Sequence, residues 1–349
     1  MSQHNTYISA AKGLVIILMV IGHSGAPSSL AGSIYLFHMP CFFLISGYLF
    51  KEKHLNDTKT FILKKAKGLY LPFVKWSLIF LLFHNILYHL NLYGIKYNTS
   101  DFLSKVFHIL TMTGSEQLLG GFWFLKELLY ASIISFFVFK LLQTLKLNLK
   151  LSTLIVCSLL FVLLAFIQSV ITFKIPIIGS KTLLATSYFI AGVALSKIDN
   201  TFIDLNKLKV GIILLITFVI SSFFVRGGMD EQGYSIFPYY ATSVIGSVAV
   251  IYLIKYLGKR VVNVLDYVGK KTLYILIFHF ISFKLVTLVL IMIAQKPLTE
   301  LTSFPVIGNG YSFSWVIYSI VGVIIPLLIE EGMNRFSLFW DKRNFLKRA

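Results

Sequence analysis

Ten runs of roughly twenty mostly apolar residues recur along this chain, at about 8–25, 34–50, 69–90, 119–140, 151–171, 182–197, 210–226, 236–256, 272–294 and 312–332. A hydrocarbon core of about 30 Å is crossed by about 20 helical residues rising 1.5 Å each. Backbone polar groups in lipid must be bonded within the segment. The chain is therefore expected to be an all-α polytopic membrane protein of about ten transmembrane helices. Only 13% of its 349 residues are charged, against about 25% in soluble domains. The first run lacks a basic leader and ends in polar His23-Ser24-Gly25, so it is read as a retained helix. No linker or internal repeat divides the sequence, and 1–349 is treated as a single domain.

The net charge of +18 could suggest nucleic acid, but its distribution argues for topology. Segments 51–68, 140–150, 197–209, 255–271 and 335–349 hold 22 of the Lys and Arg residues, and the alternate loops hold 6. That bias predicts both termini on the cytoplasmic side. Cys41 and Cys157 both lie in apolar runs, so neither a disulfide framework nor a metal site is expected. No P-loop, hydrolase elbow or H-E-x-x-H motif is present.

Ionisable residues inside a membrane are costly and by default point to function. Lys12 is the only Lys, Arg, Asp or Glu in the first fifty residues, and His23 follows eleven positions later. Eleven helical residues turn within about 20° of a whole number of turns and rise about 16 Å. The two therefore share a face and could line one passage. The bland alternative has Lys12 snorkelling to the surface and His23 capping the helix. His38 opens the second run across a short loop and is expected at the depth of His23. Ser46 and Gly47 form a small pair suited to close helix packing, with contact to substrate as the lesser role for Ser46.

In the fourth run Trp123, Glu127 and Tyr130 share a face. Trp123 suits an interfacial aromatic belt. Glu127 is expected to orient an outer-face histidine, because neighbouring Lys126 points about 100° away. The ninth run starts with Lys270 and Lys271 at a cytoplasmic mouth. It places His279 a little under two turns inside, an imidazole approached from the cytoplasmic side. His4, His54, His84, His89 and His108 receive no role.

Taken together, Lys12-x10-His23, "FHMPCFFLISGYLF" (37–50), "KKAKGLYLPF" (64–73), "FWFL" (122–125) and "GKKTLYILIFH" (269–279) resemble landmarks of the membrane-bound acyltransferase family 3. Within it the chain looks like the fucose 4-O-acetylase-like sugar acetyltransferases. Many such proteins have an acidic residue three positions before the basic residue of the first helix; here it is Ser9. The resemblance implies transfer of an acyl group, usually acetyl, from cytosolic acyl-CoA to a sugar hydroxyl of an exopolysaccharide, O-antigen or lipid-linked glycan. No cofactor would be permanently bound. Lys12, Lys65, Lys67, Lys270, Lys271 and His279 would hold acyl-CoA as co-substrate. His23 would be the general base, oriented by Glu127 or His38, or would form an acyl-histidine. Trp123, Tyr130 and Ser46 would meet the acceptor near the outer face. The expected setting is a cell membrane, crossed many times, with the bilayer but no nucleic acid as partner and self-association open. The competing readings are a polysaccharide or lipid-linked sugar translocator and a small-solute carrier. Polar residues clustered at helix ends, rather than along several helices, favour a reaction site over a translocator, and Gly246 and Pro326, isolated and unmatched, argue against a carrier with broken midplane helices.

Overall fold

A computed structural model of the chain describes residues 3–171, 178–199, 204–230, 233–307 and 313–346. Among the described residues there are α-helices and short helical turns but no strand. The α-helices are α1 (Gln3–His23), α2 (Ser28–Tyr35), α3 (His38–Tyr48), α4 (Thr58–Lys65), α5 (Leu71–His89), α6 (Thr99–Leu110) and α7 (Trp123–Thr144). They continue as α8 (Leu151–Val170), α9 (Ser180–Asp199), α10 (Asp204–Phe224), α11 (Ile236–Leu253), α12 (Lys259–Lys270), α13 (Thr272–Ile293) and α14 (Ser314–Leu346).

Nine spans among the described residues are long and apolar enough to cross a bilayer. The tenth expected run, 182–197, is the 20-residue helix α9, which falls outside that set. Ser, Thr and Lys residues lower its hydropathy, yet Leu183 through Leu195 is almost continuously buried by protein. A helix shielded from lipid by its neighbours needs no apolar surface all round. Its flanks are small: a Cβ on Gly47 would overlap the Phe189 carbonyl oxygen, and one on Gly192 would overlap that of Leu44. The α3–α9 crossing is thus backbone against backbone, as small residues permit. At the other extreme, α10 buries only 17% of its apolar window and presents Ile213, Ile216, Val219, Ile220 and Phe223 outward to lipid.

Several expected boundaries differ. The second run is two helices, α2 and α3, broken at Leu36–Phe37. Pro40, which has no N–H, stands in the first turn of α3, where none is needed. The Leu36 carbonyl at the break accepts the Ser243 hydroxyl of α11 at 2.5 Å. The basic run 51–68, read as a loop, is largely helical: α4 runs through a π-helical turn, Ala66–Tyr70, into α5. The outer segment 91–118 carries α6, started by a reciprocal Asn98–Asp101 capping box. It is pinned by His84, whose Nδ1 lies 2.6 Å from Glu116 Oε2 and whose Nε2 lies 2.9 Å from the Ile95 carbonyl, between the rings of Tyr93 and Tyr97. Burial, and then Glu116, push the Tyr93 phenol upward in pKa.

The most consequential difference concerns 255–271, read as a cytoplasmic loop. It contains the amphipathic helix α12, which packs along α1. A Cβ on Gly13 would overlap the Leu265 carbonyl, and one on Gly269 that of Ser9. Two glycines facing each other let α12 run in contact with the α1 backbone, and α13 therefore begins beside the middle of α1.

Candidate active site

Two cavities lie one above the other between α1, α3, α7 and α13. The first, about 490 Å³, is lined by His23, Tyr35, His38, Trp123 and Arg226 among others. The second, about 230 Å³, is lined by Lys12, Ser46, Gly68, Leu69, Phe124 and Thr272 among others. Met19, Met39 and Leu276 border both, so a neck of apolar side chains separates the two cavities. Lys12 and His23 do share one face of α1, with the basic residue in the lower cavity and the imidazole in the upper.

His23 is the last residue of α1, and the chain leaves the helix through Gly25 at φ 80°. Tyr35 donates its hydroxyl proton to the Gly22 carbonyl at 2.6 Å. Its oxygen, 3.4 Å from His23 Nδ1, can then accept the Nδ1–H. That arrangement leaves the Nε2 lone pair of His23 free for chemistry. The helix C-terminus favours the imidazolium that forms when Nε2 takes a proton. Tyr35→Phe is expected to lower activity about tenfold, the scale of one lost hydrogen bond at about 1.4 kcal/mol, with folded yield unchanged. Comparison of turnover and melting in the two proteins checks it; unchanged turnover would remove Tyr35 from the positioning of His23.

His38 is buried and donates Nδ1–H to the Ile34 carbonyl at 2.9 Å. The Tyr35 ring lies 5.9 Å from that of His23 and 5.5 Å from that of His38, and contacts both. His279 does not lie on a cytoplasmic approach: its ring stacks at 5.8 Å on that of His23. The displacement follows from α12, which starts α13 level with the middle of α1, so seven more residues reach the depth of His23. His279 donates Nδ1–H to the Ile275 and Leu276 carbonyls at 2.9 and 3.1 Å. Its buried Nε2 has no hydrogen-bond partner among the described residues.

Glu127 meets no histidine. It accepts the Thr182 hydroxyl at 2.6 Å and lies 3.3 Å from Lys126 Nζ. The long lysine stem curls round the helix and overcomes the 100° offset between neighbours. Tyr130 lines neither cavity. Trp123 faces the upper cavity, with Lys181 Nζ 4.4 Å from its ring centre and that ammonium 2.5 Å from Asp230.

Of the expected small pair, Gly47 makes the helix contact and Ser46 faces the lower cavity, its hydroxyl bonded to the Phe42 carbonyl at 2.8 Å. Ser46→Leu is therefore expected to fold normally and to lose most activity by filling the cavity, measured as folded yield against turnover. A poorly folding variant would put Ser46 back in the helix contact.

A carboxylate does stand near this end of α1: Ser9 donates to the Asp266 carbonyl of α12 at 3.2 Å, although Asp266 forms its ion pair with Lys270 rather than with Lys12. Lys270 lies 2.5 Å from Asp266, and Lys271 is bonded to Glu330 and lies 3.6 Å from Glu331, so the pair is engaged in structural bridges. Lys65 sits 5.6 Å from the ring centres of both Phe61 and Phe189, and Lys67 is exposed beside Gly68 of the lower cavity. Tyr35, Arg226, Asp230, Lys181 and Asp266 were not anticipated. The signal for Arg226 was visible as the one basic residue of its loop, next to two glycines.

A model of the family 3 acyltransferase domain matches residues 5–331. Nodulation protein NolL of Mesorhizobium japonicum is 31% identical over 147 residues, which are 38% of this chain and 35% of that protein. The matched stretch thus spans about a third of the relative's length. No solved structure matches. With the match covering nearly the whole chain, from the start of α1 to beyond α13, the protein belongs to acyltransferase family 3.

Proposed function

We propose that the protein moves an acyl group, acetyl in the simplest case, from acyl-CoA to a hydroxyl of a sugar acceptor. The observation that carries this reading is the pair of adjacent cavities, with Lys12 lining one and His23, its Nε2 free, lining the other. The donor would enter at the basic end of the bundle, the end expected to face the cytoplasm from the charge asymmetry. Positive charge is dense there: burial first, then the ammonium groups of Lys64, Lys53, Lys65 and Lys51, hold the His54 imidazole below its usual pKa. Such a field gathers a polyanion like CoA. The thin pantetheine arm would pass Lys12 and the methionine neck and bring the thioester beneath His23.

His23 Nε2 takes the proton of the acceptor hydroxyl as its oxygen attacks the thioester carbonyl. The C–S bond breaks, and the imidazolium returns the proton to the leaving thiolate, giving ester and free CoA thiol. Tyr35 holds the ring, and the α1 C-terminus stabilises the transient charge. The membrane in question is the cell membrane, and the glycan acceptor approaches from the far side.

The test is CoA thiol release by the purified protein with acetyl-CoA and a panel of glycans. Acceptor-dependent release is expected. Lys12→Ala should raise the KM for acyl-CoA about tenfold, one lost charged contact at about 1.4 kcal/mol, and leave that for the acceptor unchanged. No release with any acceptor, together with no acetyl-CoA binding, would overturn the reading in favour of sugar translocation.

A further inference from the structure

The upper cavity has an unusual charge inventory. Its lining carries two charged side chains, Arg226 and Asp230. Asp230 is neutralised by Lys181 at 2.5 Å, and Lys181 in turn lies over Trp123. The Lys126–Glu127 pair beneath is likewise balanced. His23 and His38 are carried on Nδ1–H bonds and need no charge. Arg226 is left over: among the described residues it has no ion pair and no hydrogen bond. Arg226 is exposed at the cavity rim and lies close to α2, the helix of Tyr35, with Nη1 3.5 Å from where a Cβ on Gly32 would stand.

The two residues after Arg226 strengthen the case. Gly227 and Gly228 also line the cavity, Gly227 at φ 135°, a conformation that side-chain-bearing residues avoid. A Cβ on Gly228 would meet nothing within 4 Å. The segment lies beyond the end of α10, and its amides make no hydrogen bond among the described residues. A planar five-donor fork beside uncovered backbone at a cavity mouth suits an oxyanion, which arginine binds in bidentate fashion.

We propose that the acyl acceptor is an acidic glycan, whose carboxylate or phosphate is held by Arg226 and the Gly227–Gly228 backbone while a nearby hydroxyl lies against His23. This rests on the transferase reading and narrows its acceptor class. Neutral sugars enter the same cavity but lack the contact that orients them, so they are poor acceptors.

Three probes test it: a uronic-acid oligosaccharide, its counterpart with each carboxyl reduced to an alcohol, and that neutral counterpart carrying a phosphate monoester. Their binding is read by tryptophan fluorescence without donor, and their acylation by thiol release. At least one anionic probe should bind tenfold or more tightly than the neutral one, and the two anionic arms tell carboxylate from phosphate. Arg226→Gln should erase the preference, and Arg226→Lys should keep part of it. The KM for acetyl-CoA should not change in either variant. Equal binding of neutral and anionic probes, no binding of either anionic probe, or a preference that survives Arg226→Gln would overturn the proposal. Efficient acylation of neutral sugar, indifferent to Arg226→Gln, would sink it while leaving the transferase reading intact. Arg226-dependent binding without thiol release from any acceptor would keep the anion site and remove the transferase reading instead.

Discussion

His23→Ala should reduce acyl transfer by a factor of about 10²–10⁴, the span that a positioned general base contributes, which is about 3–5 kcal/mol of barrier. The protein should still insert and melt as the parent does. The side chain projects into a 490 Å³ cavity, so removing it enlarges existing empty space rather than opening a hole in packed core. His38 lines the same cavity with Nδ1–H on the Ile34 carbonyl and is the one imidazole placed to supply a residual rate, whereas His279 Nε2 is buried. Glu127, the other candidate base, is held by Thr182 and Lys126. Retention of a third or more of the parental rate in thiol release would take His23 out of the chemistry. The two cavities would then serve only as a path.

The site was partly legible because helical periodicity is strong within one segment. Lys12 and His23 could be put on one face from spacing alone, and that face does line the two cavities. Relations between segments were not legible in the same way. The depth of His279 depends on where α13 starts, and that depends on α12, which hides in a charged stretch whose composition reads as loop. Ser46 and Gly47 are neighbours about 100° apart, and only the position of Gly192 on α9 decides which of them packs. Glu127 was matched to a histidine because its true partner, Thr182, lies 55 residues away on the least apolar of the long helices. Arg226 looked like an ordinary loop charge until the loop was seen to border the histidine cavity.

Gly269→Ala should be the most damaging change outside the cavities, because it strikes the contact that sets this register. A methyl group on Gly269 overlaps the Ser9 carbonyl oxygen, and Gly13 on the facing helix leaves the same lack of room. Backbone cannot swing aside as a side chain can, so α12 must move outward as a body. Overpacking of this kind costs about 1–3 kcal/mol and at times more. The consequences extend past stability. The Ser9–Asp266 hydrogen bond breaks, and the start of α13 shifts, carrying His279 off the face of His23. The variant should therefore melt several degrees lower and, where still folded, transfer acyl groups at least tenfold more slowly. Gly258→Ala is the control. It sits at the N-cap of the same helix at φ −54°, and a Cβ there meets nothing within 4 Å, so stability and turnover should stay at the parental values. Melting curves and turnover of the two variants side by side decide the matter. If both behave like the parent, α12 does not set the depth of α13 and the stacking of His279 on His23 needs another cause. A loss confined to Gly269→Ala shows that two glycines, Gly13 and Gly269, far apart in sequence but touching in the fold, hold His279 in place beside His23.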